Sequence, residues 1–312
     1  MGIKRLNYFI RQHAPDSITV RPLRDYSGTI MAIDCSILLY KYVYLSKNQY
    51  NYIIGFINRT KCYLKNKILP VYVFDGAPPE EKNITINKRS MAKKAILDKI
   101  DALKCRLNDA KNDTEMSVIS AEITKLENQL IYVNKYHISE CKEVLSAMGI
   151  PFIQAPGEAE KMCVYLQKTG LVDHIVTDDT DVFPFGCSSV LKTSLKNNSI
   201  IEYNTEKILN GFQLTKGQFL DFCIMCGCDY THTITSVGGI TALNLIRKYG
   251  SLENIRDSTR YNIHFDINKI RSIFTDYSEF VGCQAFVLGE PNKIELNRLC
   301  EKFGLRKNIF NF

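Results

Sequence analysis

No window of the 312 residues approaches the ~18 consecutive apolar positions of a membrane-spanning helix, so no span is expected. The amino terminus, Met1-Gly2-Ile3-Lys4-Arg5-Leu6, has no apolar leader, and Leu6 stands where a myristoylation signal needs Ser or Thr. Secretion and lipid anchoring are not expected, and the chain reads as intracellular. Eleven cysteines are scattered without the density of a secreted disulfide framework. The nearest approach to a metal motif, Cys223-Ile-Met-Cys226-Gly-Cys228, has no second CxxC elsewhere. It reads as buried structural thiols, with no zinc. Gly/Ser-rich linkers and internal repeats are also missing, which favours a single domain over 1–312. What is present is 45% hydrophobic and 23% charged residues, a balance that excludes a disordered chain and supplies a core.

Apolar runs bounded by turn residues alternate with helical patterns. Thr29-Ile-Met-Ala-Ile-Asp34, Ile68–Asp75, Ile150–Pro156 and Asp173–Asp178 read as strands. A helix is expected from about Ser36, and others over Ser139–Met148 and Glu158–Thr169. Near-continuous apolar strands alternating with helices predict an α/β fold with a mostly parallel central sheet flanked by helices. Ser189–Ser194 and Ser199–Tyr203 read as a hairpin at the sheet edge, and the chain after Thr205 as mainly helical.

Residues 80–135 form an insertion. Ile96, Ile100, Leu103 and Leu107, then Met116, Ile119, Ile123, Leu126 and Leu130, mark two apolar seams at alternating spacings of three and four. Lys111-Asn-Asp113 separates them, so an antiparallel helical hairpin is expected. On pattern alone this could also be a surface coiled coil used only for packing.

In an open parallel sheet, ligands bind beyond the carboxyl ends of the strands. Four such ends here carry acids: Asp34, Asp75, Glu158-Ala-Glu160 and Asp179-Thr-Asp181. Asp229 follows later, in Gly227-Cys-Asp229-Tyr230. One strand-terminal Asp often merely caps the next helix. Acids at four successive ends, if they meet, need cations to relieve their mutual repulsion. Asp179 and Asp181 share a face if the chain there is extended, while Glu158 and Glu160 converge only at a helix start, which Pro156-Gly157 supports. With only oxygen ligands, Mg²⁺ is expected, with Mn²⁺ as a substitute. Seven acids suit two ions ~4 Å apart, the arrangement that activates water in phosphodiester hydrolysis.

Forty Lys and Arg against 33 acids give a net charge of +7. Withdrawing seven acids into one site leaves the remaining surface far more basic, which suits a polyanionic substrate. Lys82 and Arg89, seven apart just past Asp75, share a helical face and could neutralise a scissile phosphate; taken alone they could equally be solvated bases. Downstream, Gly238 and Gly239 lead into a helix over Thr241–Tyr249 that carries Arg247 and Lys248. A tight turn at a helix start exposes N–H groups suited to a DNA phosphate.

Ala32-Ile-Asp34, Val71-Tyr-Val-Phe-Asp75-Gly76, Pro78-Pro79, Lys88-Arg89, Ser146-Ala-Met-Gly-Ile-Pro151, Ala155-Pro-Gly-Glu158-Ala-Glu160 and Gly227-Cys-Asp229-Tyr230 together resemble the flap endonuclease family of structure-specific 5′ nucleases. The similarity runs from Met1 to about Ile255. It implies that the seven acids are the metal-site acids and that Lys82 and Arg89 are the catalytic basic pair. Tyr40 matches a tyrosine that stacks near the scissile nucleotide. Lys47 and Arg59 fall where that family places basic DNA contacts, and Gly2 would lie near the active site. The insertion resembles the family's helical arch, and residues 215–260 its helix–two-turn–helix. In the latter, Thr233 and the Ile234 and Val237 carbonyls would hold K⁺.

The segment between Tyr40 and Arg59 is shorter than in cellular members, the arch is longer, and Ser236 stands where a glycine is usual. Leu305–Phe312 lack a Gln-led clamp-binding box, so recruitment to a sliding clamp by that route is not expected. The resemblance implies a Mg²⁺-dependent enzyme cutting 5′ flaps, with 5′–3′ exonuclease activity, in DNA replication and repair. Its partner would be branched or flapped DNA, with no membrane, and the chain would be a monomer. Its place would be the nucleus or, since the Asn/Ile/Lys/Tyr-rich composition hints at an AT-rich viral genome, a cytoplasmic replication site. The alternatives are a 5′ exonuclease or junction resolvase in recombination and a non-catalytic DNA-binding protein of the same fold.

Overall fold

The computed structural model describes residues 2–46, 50–110, 112–130, 132–193, 199–280 and 282–310. Among these residues seven strands make one sheet: β1 (Ile18–Pro22), β2 (Ile30–Asp34), β3 (Leu69–Phe74), β4 (Phe152–Gln154), β5 (His174–Val176), β6 (Ser189–Thr193) and β7 (Ser199–Asn204). Their spatial order is β1-β7-β6-β5-β2-β3-β4. From β6 to β4 every pairing is parallel, whereas β6–β7 and β7–β1 are antiparallel. The expected hairpin is therefore not at the edge: β1 pairs with β7 from Ile18 opposite Tyr203 to Pro22 opposite Ser199 and covers it. Strand β1 escaped the apolar-run criterion because it is half exposed, and Pro22 is tolerated because only one neighbour pairs with it.

Side chains of β2 alternate between two cores, as a period of two requires. Ala32 joins Val71, Val73 and Ile175 on one face, while Met31 and Ile33 join Tyr72 and Phe74 on the other. The first face is covered by α1 (Leu6–His13) and, further along the chain, by α7 (Ala159–Lys168), α8 (Thr205–Phe212), α9 (Lys216–Cys226), α10 (Gly239–Tyr249), α11 (Leu252–Ser258) and α12 (Ile267–Thr275). The second is covered by α2 (Cys35–Leu45), α3 (Asn51–Lys65), α6 (Lys135–Ala147) and α13 (Lys293–Phe303). Each fully buried large side chain contributes ~1.5–3 kcal/mol, so two complete cores make the sheet a rigid base for whatever its ends carry. Cys223, Cys226 and Cys228 are buried in or just after α9, and burial raises all three thiols above their ordinary range.

Between the first and second halves of the sheet the chain leaves as α4 (Asn83–Asn108) and returns as α5 (Asp113–Glu127). Their own small core is Ile100, Leu103, Ile119 and Ile123, flanked by Ile96, Leu107, Leu126 and Leu130. Asn112 starts the return helix by accepting a bond from the Glu115 N–H at 2.9 Å. Met116, expected in the seam, lies 43% exposed: it falls in the first turn of α5, beyond the cluster that buries Ile119 and Ile123. Among the described residues no helix is long and apolar enough to cross a membrane.

Candidate active site

The acidic residues meet at the carboxyl ends of β2, β3 and β5 and the start of α7. Asp34 is both the last residue of β2 and the N-cap of α2, accepting from the Ser36 N–H at 3.1 Å. Its other oxygen accepts from the Thr177 hydroxyl at 2.6 Å. Asp75, just past β3, accepts from the Ser36 hydroxyl and from the Ala159 N–H at 2.8 Å. One carboxylate thus ties the starts of α2 and α7 together, where both helix dipoles favour negative charge. Glu158 occupies the position just before α7, and its carboxylate is gripped by the Lys82 ammonium and the Tyr230 hydroxyl. Glu160 lies in the first turn of the same helix.

Asp179 and Asp181 do not share an extended strand. Strand β5 ends at Val176, and the chain then turns so that the Asp179 carboxylate accepts the Asp181 N–H at 3.0 Å. The turn arises because an Asp side chain readily bonds the backbone two residues on. Both carboxylates are nevertheless buried, and Asp181 Oδ1 is left with no hydrogen-bond partner. Asp229 accepts from Arg89 at 2.9 Å and lies 3.9 Å from Lys82 Nζ.

The electrostatics show how tightly these groups are gathered. Burial, then Asp75 and Asp179, push the Asp34 carboxyl up to about 7. Burial and the charges of Asp34, Asp75, Asp179 and Glu158 hold Glu160 well above the carboxylate range. Burial, Asp179, Asp229 and Glu158 do the same to Asp181, against the opposing pull of Lys82. For Lys82, burial works against the charge, but Glu158 and Glu160 outweigh it and the ammonium titrates above its ordinary value.

These residues fit divalent cations on two counts. Every donor is a hard oxygen, and the orphaned Asp181 Oδ1 is a buried acceptor without a donor, a costly arrangement that a cation would relieve. No three of the His, Cys, Asp or Glu side chains among the described residues form a ready-made ligand cage. Oxygens of Asp34, Asp75, Glu158 and Asp229 accept instead from Thr177, Ser36, Lys82, Tyr230 and Arg89.

Other sequence candidates have mixed placements. A Cβ on Gly2, whose φ is +84°, would stand 2.0 Å from Asp179 Oδ1, so the N-terminal backbone abuts the acidic cluster. Tyr40 is exposed on α2. Lys47 lies outside the described residues. Arg59 is buried, with its guanidinium over the Tyr63 ring and a bond to Tyr42, a setting that packs it inside the fold. Arg247 donates to the Phe212 carbonyl at 2.9 Å, which ties it to the end of α8, and Lys248 lies over the Tyr249 ring. Gly238 has open space around it, whereas a Cβ on Gly239 would strike the Phe9 ring at 2.1 Å. Packing alone therefore requires glycine at 239. Thr233 is exposed, and the Ile234 carbonyl accepts from the Val237 N–H at 3.2 Å, closing a turn in which Ser236 adopts φ +63°.

Thr177, Ser36 and Tyr230 belong to the site and were not singled out from sequence. Tyr230 adjoins Asp229 in the chain, and Ser36 follows Asp34 by two, but nothing in their identity marks the hydroxyls as carboxylate donors.

The sequence of residues 1–96 matches the XPG N-terminal domain, and that of 149–229 the XPG I-region. Flap endonuclease 1-B of Physcomitrium patens is 34% identical over 282 residues, 84% of this chain and 78% of that protein. The catalytic core of Rad2, solved with a DNA substrate, superposes with a TM-score of 0.75 at 25% identity, over 99% of this chain and 97% of that one. The Holliday junction-resolving enzyme GEN1, solved with product DNA, Mg²⁺ and Mn²⁺, shares the fold at a TM-score of 0.64 and 16% identity, over 94% of this chain and 71% of that one. Acidic strand ends, the basic pair at the start of α4 and a match spanning most of a curated relative converge on one assignment: the chain belongs to the flap endonuclease family.

Proposed function

We propose that this nuclease hydrolyses the phosphodiester at the base of a 5′ flap, using the acidic cluster and the Lys82–Arg89 pair. The observation that carries the reading is that both cations are already paired with the acids: Lys82 with Glu158, and Arg89 with Asp229. Asp34, Asp75, Glu158, Glu160, Asp179, Asp181 and Asp229 would hold two Mg²⁺, with Mn²⁺ able to substitute. Bound there, divalent ions supply charge neutralisation and lower the pKa of water.

The chain's own residues account for the remaining steps. The scissile phosphate enters against the site, and Lys82 and Arg89 exchange their carboxylate partners for its oxygens. Water adds to phosphorus in line, and the bond to the flap's 3′ oxygen breaks. The flap then leaves with a 3′ hydroxyl and the retained strand with a 5′ phosphate. Positive charge fixed beside the phosphorus is worth more in the transition state, where its oxygens gather charge, than in the ground state. Tyr40 offers a ring to the adjacent base, and the hairpin of α4 and α5 stands as an arch over the approach. Gly238 and Lys248, in the helix–two-turn–helix, suit contacts to the duplex backbone away from the cut. A K⁺ ion held by Thr233 with the Ile234 and Val237 carbonyls would support that grip. Arg59, Arg247 and Gly239 have structural partners and act in this reading by holding the scaffold. Lys47 remains a candidate DNA contact.

Asp179→Ala tests the reading. With a labelled 5′-flap duplex and Mg²⁺, cleavage is expected to vanish while the dissociation constant stays within about threefold of the starting protein. Equal loss of binding and cleavage, or retained cleavage, would overturn the assignment of the acids.

A further inference from the structure

Four residues after Tyr40, on the same face of α2, stands a second exposed tyrosine. Tyr44 is 51% exposed and Tyr40 43%. Their rings lie 6.4 Å apart and only 17° from parallel. Exposed apolar rings gathered side by side, unlike ones scattered singly, mark a surface that meets a partner. They form one wall of a cleft of about 600 Å³ whose opposite wall is the return helix of the arch, through Ala121, Thr124 and Lys125, with Asn128 and Gln129 of the 3-10 turn that follows it. That wall is polar and carries a cation, which suits a sugar–phosphate chain better than an apolar protein segment.

We propose that Tyr44 and Lys125 form a second holding position for the single-stranded flap. Tyr44 stacks on the base next to the one on Tyr40, and Lys125 faces the phosphate between them. Two rings in register along one helix suit consecutive bases of an extended strand, because base–aromatic stacking accepts any base. The inference rests on the flap-cleavage reading above and adds to it the register in which the strand crosses α2. Tyr44 is a positioning residue in this scheme, since it touches neither the scissile phosphate nor the acids.

The test uses the full chain and 5′-flap duplexes in which 2-aminopurine replaces successive flap bases. In the starting protein, two adjacent positions are expected to be quenched on binding. Tyr44→Ala should restore fluorescence at one of them and weaken flap binding at least about fivefold, the lower end for losing one stacked base. Tyr44→Phe should recover both signals. An abasic residue at the affected position should make Tyr44→Ala and the starting protein bind alike. Lys125→Ala should reduce the salt dependence of binding by about one phosphate contact. Quenching that survives Tyr44→Ala, failure of Tyr44→Phe to rescue, or a deficit that persists on the abasic flap would overturn the proposal. A protein that quenches both bases yet never cuts the flap would count against the nuclease reading and leave this one standing.

Discussion

Stripping divalent ions from the protein and raising the pH through neutrality should destabilise it, and Asp34 sets the scale. In the folded chain its carboxyl is held up to about 7, against 3.8 in the unfolded chain, because it is buried and faces Asp75 and Asp179. Between those values the unfolded state has released its proton and the folded state keeps it, so stability falls as pH rises from about 4 to about 7. A difference of roughly three units at ~1.4 kcal/mol each gives about 4 kcal/mol for this one group. That is a large share of the ~5–15 kcal/mol typical of a folded domain. At ~2–4 °C per kcal/mol, the melting temperature should drop by about 10 °C. Glu160 and Asp181 are raised as well and act in the same direction. Half-buried His13, His137 and His174 oppose it, since their partial burial lowers their pKa values and their contribution is lost as pH falls below about 6.5. The Asp34→Asn variant separates the two, because it removes the carboxylate and leaves the histidines. Calorimetry in chelator at about pH 5 and pH 7.5 should show a steeper loss for the starting protein than for Asp34→Asn. Mg²⁺ at pH 7.5 should restore the former far more than the latter. Identical pH slopes in the two proteins would mean that the acids are not crowded enough to repel one another, and the metal-site reading would fall with them.

Lys82→Ala and Arg89→Ala should each lower the single-turnover cleavage rate by ~10²–10³ while shifting flap affinity less than about tenfold, the pattern of a contact that strengthens in the transition state. Rates within about threefold of the starting protein would sink that role. Ser236→Gly addresses the strained turn. A left-handed non-glycine residue costs ~1–2 kcal/mol, and glycine's extra unfolded-state entropy returns ~0.5–1 of it. The variant should therefore gain about 0.5–1 kcal/mol by chemical denaturation and Ser236→Val should lose stability; the opposite order would show that the turn is not strained at φ +63°.

The parts of this molecule legible in the sequence are those whose cause is local. Strands β2 and β3 are buried on both faces, so their apolar runs announce them, and the arch declares itself through a seam that only helices produce. Strand β1 exists because β7 offers it hydrogen bonds, and no periodicity of its own records that. Asp34, Asp75, Glu158 and Glu160 could be named because they lie at a strand end or a helix start, yet their geometry follows from contacts far apart in the chain. Thr177 reaches Asp34 across 143 residues, and Lys82 reaches Glu158 across 76. Basic residues were the least readable, since Arg and Lys look alike whether they face DNA or the interior. Arg59 lies among tyrosines, Arg247 holds a helix end, and Lys82 is drawn into the acid cluster. A carboxylate at a strand end is constrained by the backbone that carries it, whereas a long cationic side chain goes wherever the nearest uncompensated oxygen is. The same freedom lets Lys82 and Arg89 serve as counter-ions in the free protein and pass to a phosphate when one arrives.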